Sequence, residues 1–223
     1  KLLYTLLLIV VFRFGCFVTV PGVDTFTLAE QMHSATNGVT GLIDTISGGA
    51  FSRLSIFAMS ITPYITASIV IQLLGMVIPA LERLTKEGGE EGRTKINKYT
   101  KMLTIVLALI EGLGIFFSYK SSGIFLDTSF LGGFITVLSL MTGTALLIWL
   151  GEQITNKGIG NGISMLIFVG IVSGLPSGVV TVWNLIFGTS TFSTVGLIEA
   201  LGLILGIVLL IAAVVFIQLA ERR

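Results

Sequence analysis

Apolar residues fall in six long runs, at 2–20, 61–81, 102–119, 131–150, 163–175 and 195–219. The fifth reaches back to about 160 once the glycine-rich stretch before it is included. Each run approaches the roughly 20 residues that cross the hydrocarbon core of a bilayer as a helix. A polar stretch follows the first run, over 22–45, with Asp24, Glu30, His33, Asn37 and Asp44, and reads as an external loop. The next stretch, 46–60, is different. It opens on Ser47-Gly48-Gly49-Ala50, continues as a short apolar helix over about 46–57, and meets Pro63 at the head of the second run. That is a helix broken at membrane depth, where irregular backbone is tolerated only if buried in protein or lining a water-filled path. The pattern predicts an all-α polytopic transmembrane helix bundle with a broken second helix. It also predicts a route through a membrane rather than an anchor in one. No repeat of 20–50 residues is visible.

Composition agrees: 53% of the 223 residues are hydrophobic, 11% are charged, and the mean hydropathy is +0.99, which excludes a soluble domain. Charge adds orientation. The stretch 82–101 carries Arg83, Lys86, Arg93, Lys95, Lys98 and Lys101 among Gly88, Gly89 and Gly92, and is predicted to be a solvated hairpin. With alternating spans, Lys1, Lys157, Arg222 and Arg223 share its side, while Arg53 and Lys120 face the other. Basic loops stay cytoplasmic, so both termini are expected there. The basic loop itself suits a cytosolic docking surface, a lipid-headgroup surface, or simply the positive-inside bias. The net charge of +1 offers no argument for nucleic-acid binding. Val182-Trp183, in an outer loop without charges, suits the membrane interface. The first run carries Arg13 and meets Pro21-Gly22 without a cleavage pattern, so it is expected to be an uncleaved span. The same arginine sits where lipid attachment at Cys16 wants an aliphatic residue. After the sixth run the sequence stops at its first basic residues, and reads as cut.

The chemistry-bearing residues exclude more than they establish. Cys16 is the one cysteine, so no internal disulfide framework exists. His33, the one histidine, lies in the outer loop, which rules out an intramembrane serine–histidine dyad. Asp24, Asp44 and Asp127 all lie outside the runs, so no paired-aspartate protease site forms, and no His/Cys cluster suggests a metal. No cofactor is expected. Gly158-Ile159-Gly160-Asn161-Gly162 has G-x-G-x-G spacing with no preceding strand and is not a phosphate cradle. Gly202 and Gly206 make a small-xxx-small pair, a helix-packing notch. Arg13, Glu111 and Glu199 are the ionisable residues inside runs, where charge is costly and function is the default reading. Arg13 is expected to face the bundle or snorkel, and Glu199 to reach the interface. A secondary transporter uses broken helices and intramembrane carboxylates too, and stands as the alternative. A non-conducting assembly subunit is a further one.

Five motifs, in this order and at these distances, resemble the SecY family of protein-conducting channel subunits. They are Ser47-Gly48-Gly49-Ala50, Ser55-Ile56-Phe57-Ala58, Pro63-Tyr64-Ile65-Thr66-Ala67-Ser68-Ile69, Trp149-Leu150-Gly151-Glu152-Gln153-Ile154-Thr155, and Gly158-Ile159-Gly160-Asn161-Gly162-Ile163-Ser164. The resemblance covers the whole chain and matches the first six of the family's ten spans. It implies that 46–57 is a plug, with Ser47, Gly48, Gly49, Ala50 and Phe51 at its head. It implies a pore constriction at Ile61 and Ile65 on the second span and Ile163 and Ile167 on the fifth. Both pairs are i, i+4 and share a helix face, and an apolar constriction gates by dewetting. It also implies a lateral-gate polar cluster of Thr66 and Glu111, although Glu111 could equally be a protonated carboxyl hydrogen-bonded within the bundle. Arg83, Lys86, Arg93, Lys95 and Lys98 become a cytosolic docking loop. The implied activity is not enzymatic: it is passage of unfolded secretory polypeptide across the bacterial plasma membrane and release of membrane segments into lipid. The implied partners are the small subunits SecE and SecG, the SecA ATPase, the ribosome, signal peptides and nascent chains.

Overall fold

The computed structural model describes residues 1–28, 44, 46–86, 89–176, 178–180, 183 and 194–221. Glu30, His33, Asn37, Val182, Arg222 and Arg223 lie outside the described residues, as do the side chains of Lys86 and Glu199. The chain forms two compact units, Lys1–Ser173 and Gly174–Arg223. In the first are the helices α1 (Leu2–Gly15), α2 (Thr62–Val77), α3 (Pro79–Lys86), α4 (Gly89–Tyr119), α5 (Phe130–Lys157) and α6 (Gly162–Ser173); in the second is α7 (Thr194–Glu221). Gly89–Ser122, Phe130–Lys157 and Gly162–Val180 are long and apolar enough to cross a membrane, and Leu2–Gly15, Thr62–Val77 and Leu205–Leu219 are shorter apolar helices.

Helix α5 is central to the first unit. Its buried positions include Val137, Leu140, Gly143, Thr144, Leu147, Leu150, Gly151 and Ile154. They recur at helical spacing but cover more than one stripe, so α5 takes α4, α1 and α6 against different sides. Ser129 caps its start, accepting from the Gly132 N–H at 3.4 Å. The glycine-dense turn after it is a close-packing device. A Cβ on Gly158 would sit 2.5 Å from the Thr5 hydroxyl, and Gly151 lies against Ile163. Asn161 then caps α6, its Oδ1 accepting from the N–H groups of Ile163 (3.0 Å) and Ser164 (3.3 Å).

Three elements depart from the sequence pattern. Helix α1 ends at Gly15 rather than near residue 20, because the chain that follows pairs with the broken segment. The Ile56 N–H donates to the Val18 carbonyl and the Val20 N–H to the Leu54 carbonyl, both at 2.9 Å. The second apolar run, 61–81, is two helices. Ile78 is extended (φ −97°, ψ 111°), as the residue before proline prefers, and Pro79 opens the short helix α3. The stretch 82–101, expected as a solvated hairpin, has helical arms rather than loop, the end of α3 and the start of α4. Past Gly89 it is continuous helix, the first turns of the 31-residue α4. Gly92 allows this, since its missing side chain leaves room for the Leu84 backbone of α3.

The stretches 22–24 and 124–126 are tied together by backbone. The Asp24 N–H donates to the Ile124 carbonyl (2.8 Å) and the Leu126 N–H to the Gly22 carbonyl (2.9 Å). Asp24 also accepts from the Thr27 hydroxyl (2.6 Å) and the Phe26 N–H (3.0 Å), which hold its carboxyl below the ordinary carboxylate range.

Candidate functional site

Ile46 and Ser47 are helical, but from Gly48 to Ile61 the chain is a succession of tight turns, not the short helix over about 46–57 that its apolar sequence predicts. Gly48 (φ 69°), Gly49 (φ 81°), Leu54 (φ 41°) and Ser60 (φ 51°) all adopt left-handed backbone. Each interrupts a right-handed helix. Leu54 and Ser60 do so with a Cβ, at a cost of about 1–3 kcal/mol each. Side chains repair the turns. Ser47 accepts from the Phe51 N–H (3.1 Å) and donates to the Asp44 carbonyl (3.0 Å); Asp44 accepts from the Ser52 N–H (2.7 Å). Ser55 accepts from the Phe57 N–H at 3.2 Å.

The segment is a wedge between two apolar clusters. Ala50, Phe57 and Ile61 enter one with Leu8 and Phe12 of α1, Leu147, Leu150 and Ile154 of α5, and Leu166 of α6. Phe51, Leu54, Ala58 and Met59 enter the other, with Val20, Ala108 and Leu140. Phe57 stacks on Phe12 with ring centroids 5.9 Å apart. Three helices leave a glycine where the segment touches them. Gly15 of α1 faces the Phe57 ring, Gly143 of α5 faces the Ile56 carbonyl, and Gly170 of α6 faces the Ile46 carbonyl. Arg13 adds a polar hold, donating from Nη1 to the Gly48 carbonyl at 2.6 Å.

The isoleucines expected at the constriction do not all behave alike. Ile61 is 2% exposed and in the first cluster, and Ile163 and Ile167 pack against that same cluster. Ile65, one turn further along α2, is 37% exposed and outside it. No hydrogen bond joins Thr66 to Glu111. Thr66 donates to the Thr62 carbonyl of its own helix (3.1 Å). Glu111 lines a cavity of about 400 Å³ with Thr62, Phe51, Met59, Ser118 and Tyr119. Arg83, Arg93, Lys95 and Lys98 are exposed on α3 and the start of α4, and Lys101 pairs with Glu152 of α5. Among the described residues no three His, Cys, Asp or Glu side chains gather where they could hold a metal ion.

Sequence reasoning missed the hold of Arg13 on the segment and the glycine seats. One signal was present: a lone arginine inside an apolar run asks for a partner. The seats carried none, because a glycine facing a carbonyl and a glycine facing lipid are written alike.

The family model described as SecY matches residues 55–223. The chain belongs to the SecY family. Curated SecY relatives are protein translocase subunits by name. That from Rickettsia felis is 41% identical over the whole chain, that from Staphylococcus carnosus 40% and that from Pseudomonas aeruginosa 41%. The chain spans about half the length of these relatives, 52%, 52% and 49%. Among solved structures, one titled as a protein conducting channel and one of Sec61 in the canine ribosome-channel complex each align with a TM-score of 0.56. At 21% identity, over 85% of this chain and 38% of theirs, they show the SecY fold. The secondary-transporter alternative gives way to the family.

Proposed function

We propose that this chain forms one wall of a protein-conducting channel, closed at rest by the turn-rich segment over 46–57. The carrying observation is that irregular backbone is packed among the apolar helices α1, α5 and α6, seated on glycines and tied by hydrogen bonds, the arrangement that irregular backbone within a membrane requires. A segment of this kind is firmly placed yet shares no helix with its neighbours, which suits a removable stopper. Ser47, Gly48, Gly49, Ala50 and Phe51 form its head. Ile61, Ile163 and Ile167 supply this chain's share of the constriction, with Ile65 on the next turn facing the translocating polypeptide. Thr62, rather than Thr66 alone, faces Glu111 and joins the polar cluster of the lateral gate. The substrates are unfolded secretory polypeptides and membrane segments, recognised by signal peptides, and the chain is not itself an enzyme. Driving force comes from the SecA ATPase or a translating ribosome on the face that carries Arg83, Lys86, Arg93, Lys95 and Lys98. SecE and SecG stand alongside, in a bacterial plasma membrane, with both termini cytoplasmic.

Site-specific photocrosslinking tests this. A photoreactive residue is placed at Ile61, Ile65, Ile163 or Ile167 in a full-length channel containing this chain, and a secretory precursor is stalled mid-export. Crosslinks from these positions to the mature part of the precursor are expected. Their absence at all four, with the precursor stalled in the same membranes, would remove the constriction assignment.

A further inference from the structure

Arg13 is unexplained by a wall of apolar helices. It lies in the last turn of α1, half-buried, and among the described residues it pairs with no carboxylate. Its Nη1 hydrogen-bonds the Gly48 carbonyl (2.6 Å), and its guanidinium lies 5.2 Å from the centre of the Phe17 ring. That ring has a second cation on it, Arg53 of the segment, at 4.5 Å. A guanidinium in an apolar helix keeps its charge and must find acceptors. Here the acceptor is a peptide carbonyl of the stopper itself.

The other side of the same peptide is equally fitted. A Cβ on Gly48 would lie 2.9 Å from the Ser173 hydroxyl, 3.1 Å from the Gly170 Cα and 3.2 Å from Arg13 Nη1. A Cβ on Gly170 would lie 2.5 Å from the Ile46 carbonyl. The 46–48 end is therefore gripped between α1 and α6, by one charge-assisted bond and one close backbone approach. The 54–57 end is held differently, by strand-like pairing with residues 18–20 and by the burial of Phe57.

We propose that the 46–48 end is the latch of the stopper, with Arg13 as its positioning residue and Gly170 as the matching notch. The 54–57 end is the hinge. Opening begins when the Gly48 carbonyl leaves the guanidinium. The segment then swings about its paired end while Arg53 keeps its place on the Phe17 ring. The latch rests on the stopper reading given above.

The test is passive ion leak through a resting full-length channel containing this chain, reconstituted in vesicles. The variants are Arg13→Gln, Arg13→Lys, Gly170→Ala and a deletion of 47–51, each compared at equal amounts of folded protein. Arg13→Gln is expected to raise the leak on the order of tenfold, as loss of one charge-assisted hydrogen bond implies. Arg13→Lys restores a point-charge donor and should bring the leak back toward wild type, which a purely structural arginine would not show. Gly170→Ala should leak with Arg13 intact. If Arg13→Gln does not accumulate, Gly170→Ala decides, and a wild-type leak there overturns the latch. A leaky deletion beside tight Arg13→Gln and Gly170→Ala variants also overturns it while leaving the stopper standing. A tight deletion removes both.

Discussion

The segment from Ile46 to Ile61 and the helix pair α4–α5 are both apolar, both buried in part and both rich in small residues, yet they are held by different means. In α4 and α5 the backbone hydrogen bonds close within each helix, and the two meet through side chains. Gly112 rests against the Val137 methyl groups and Gly133 against the Phe116 ring. In the segment, four left-handed residues break that internal ladder, so its peptide groups look elsewhere for partners. They find Ser47, Asp44, Ser55, Arg13 and the chain over 18–20. A helix can be pulled from its neighbour and remain a helix. The segment is defined by what surrounds it, so every contact doubles as a control point.

The sharpest way to break the contrast is Phe57→Ala. The ring is 2% exposed, stacks on Phe12 and fills the space left at Gly15. Its loss should cost about 3–5 kcal/mol. Thermal unfolding of the full-length channel in detergent should register it, together with a larger leak; an unchanged melt would refute the wedge description.

A matched pair of substitutions comes next. Gly143→Ala drives a methyl into the Ile56 carbonyl, a backbone atom fixed by its own turn. It should destabilise by about 1–3 kcal/mol. Gly112→Ala meets a Val137 methyl at 3.3 Å, a side-chain atom that needs to yield only a few tenths of an ångström. It also gains up to about 1 kcal/mol in helix propensity, so the melt should hold or rise. Equal effects of the two would erase the distinction between a glycine that seats backbone and one that seats a side chain.

The smallest effect is expected from Ser47→Ala, which removes a hydroxyl satisfying the Phe51 N–H in a buried turn. About 1 kcal/mol should be lost. The loss should appear as faster amide hydrogen exchange at Phe51 with exchange in α4 unchanged. Equal acceleration in both would mean that the segment and the helix pair open as one.

Much of this architecture was legible in the chain. The central apolar runs reappear inside α4, α5, α6 and α7, and Pro63 and the Gly48-Gly49 pair marked where the second helix breaks. The motif likeness gave the family. What failed to show has physical causes. The start of α4 reads as loop because charged residues and glycines are solvated there, but Gly92 is used for close approach to Leu84, not for a turn. The segment over 46–60 reads as helix because Ala50, Leu54, Phe57 and Ala58 fit a helical face; the left-handed backbone at Leu54 and Ser60 is imposed by surroundings distant in sequence. The resemblance pairs Thr66 with Glu111; Thr62, one turn earlier on α2, is the threonine that lines a cavity with Glu111, a rotation about the helix axis that the apolar pattern does not encode.

The length of α4 has a mechanical consequence. Its 31 residues make a rod about 46 Å long, against about 30 Å of hydrocarbon. The surplus, on the order of 16 Å, is the portion that displays Arg93, Lys95 and Lys98. Rod and span are one uninterrupted helix, buttressed by α3 at Gly92 and pinned to α5 through Lys101 and Glu152. A force on those cations works a lever whose short arm is the basic surplus and whose long arm, about 30 Å, carries Glu111.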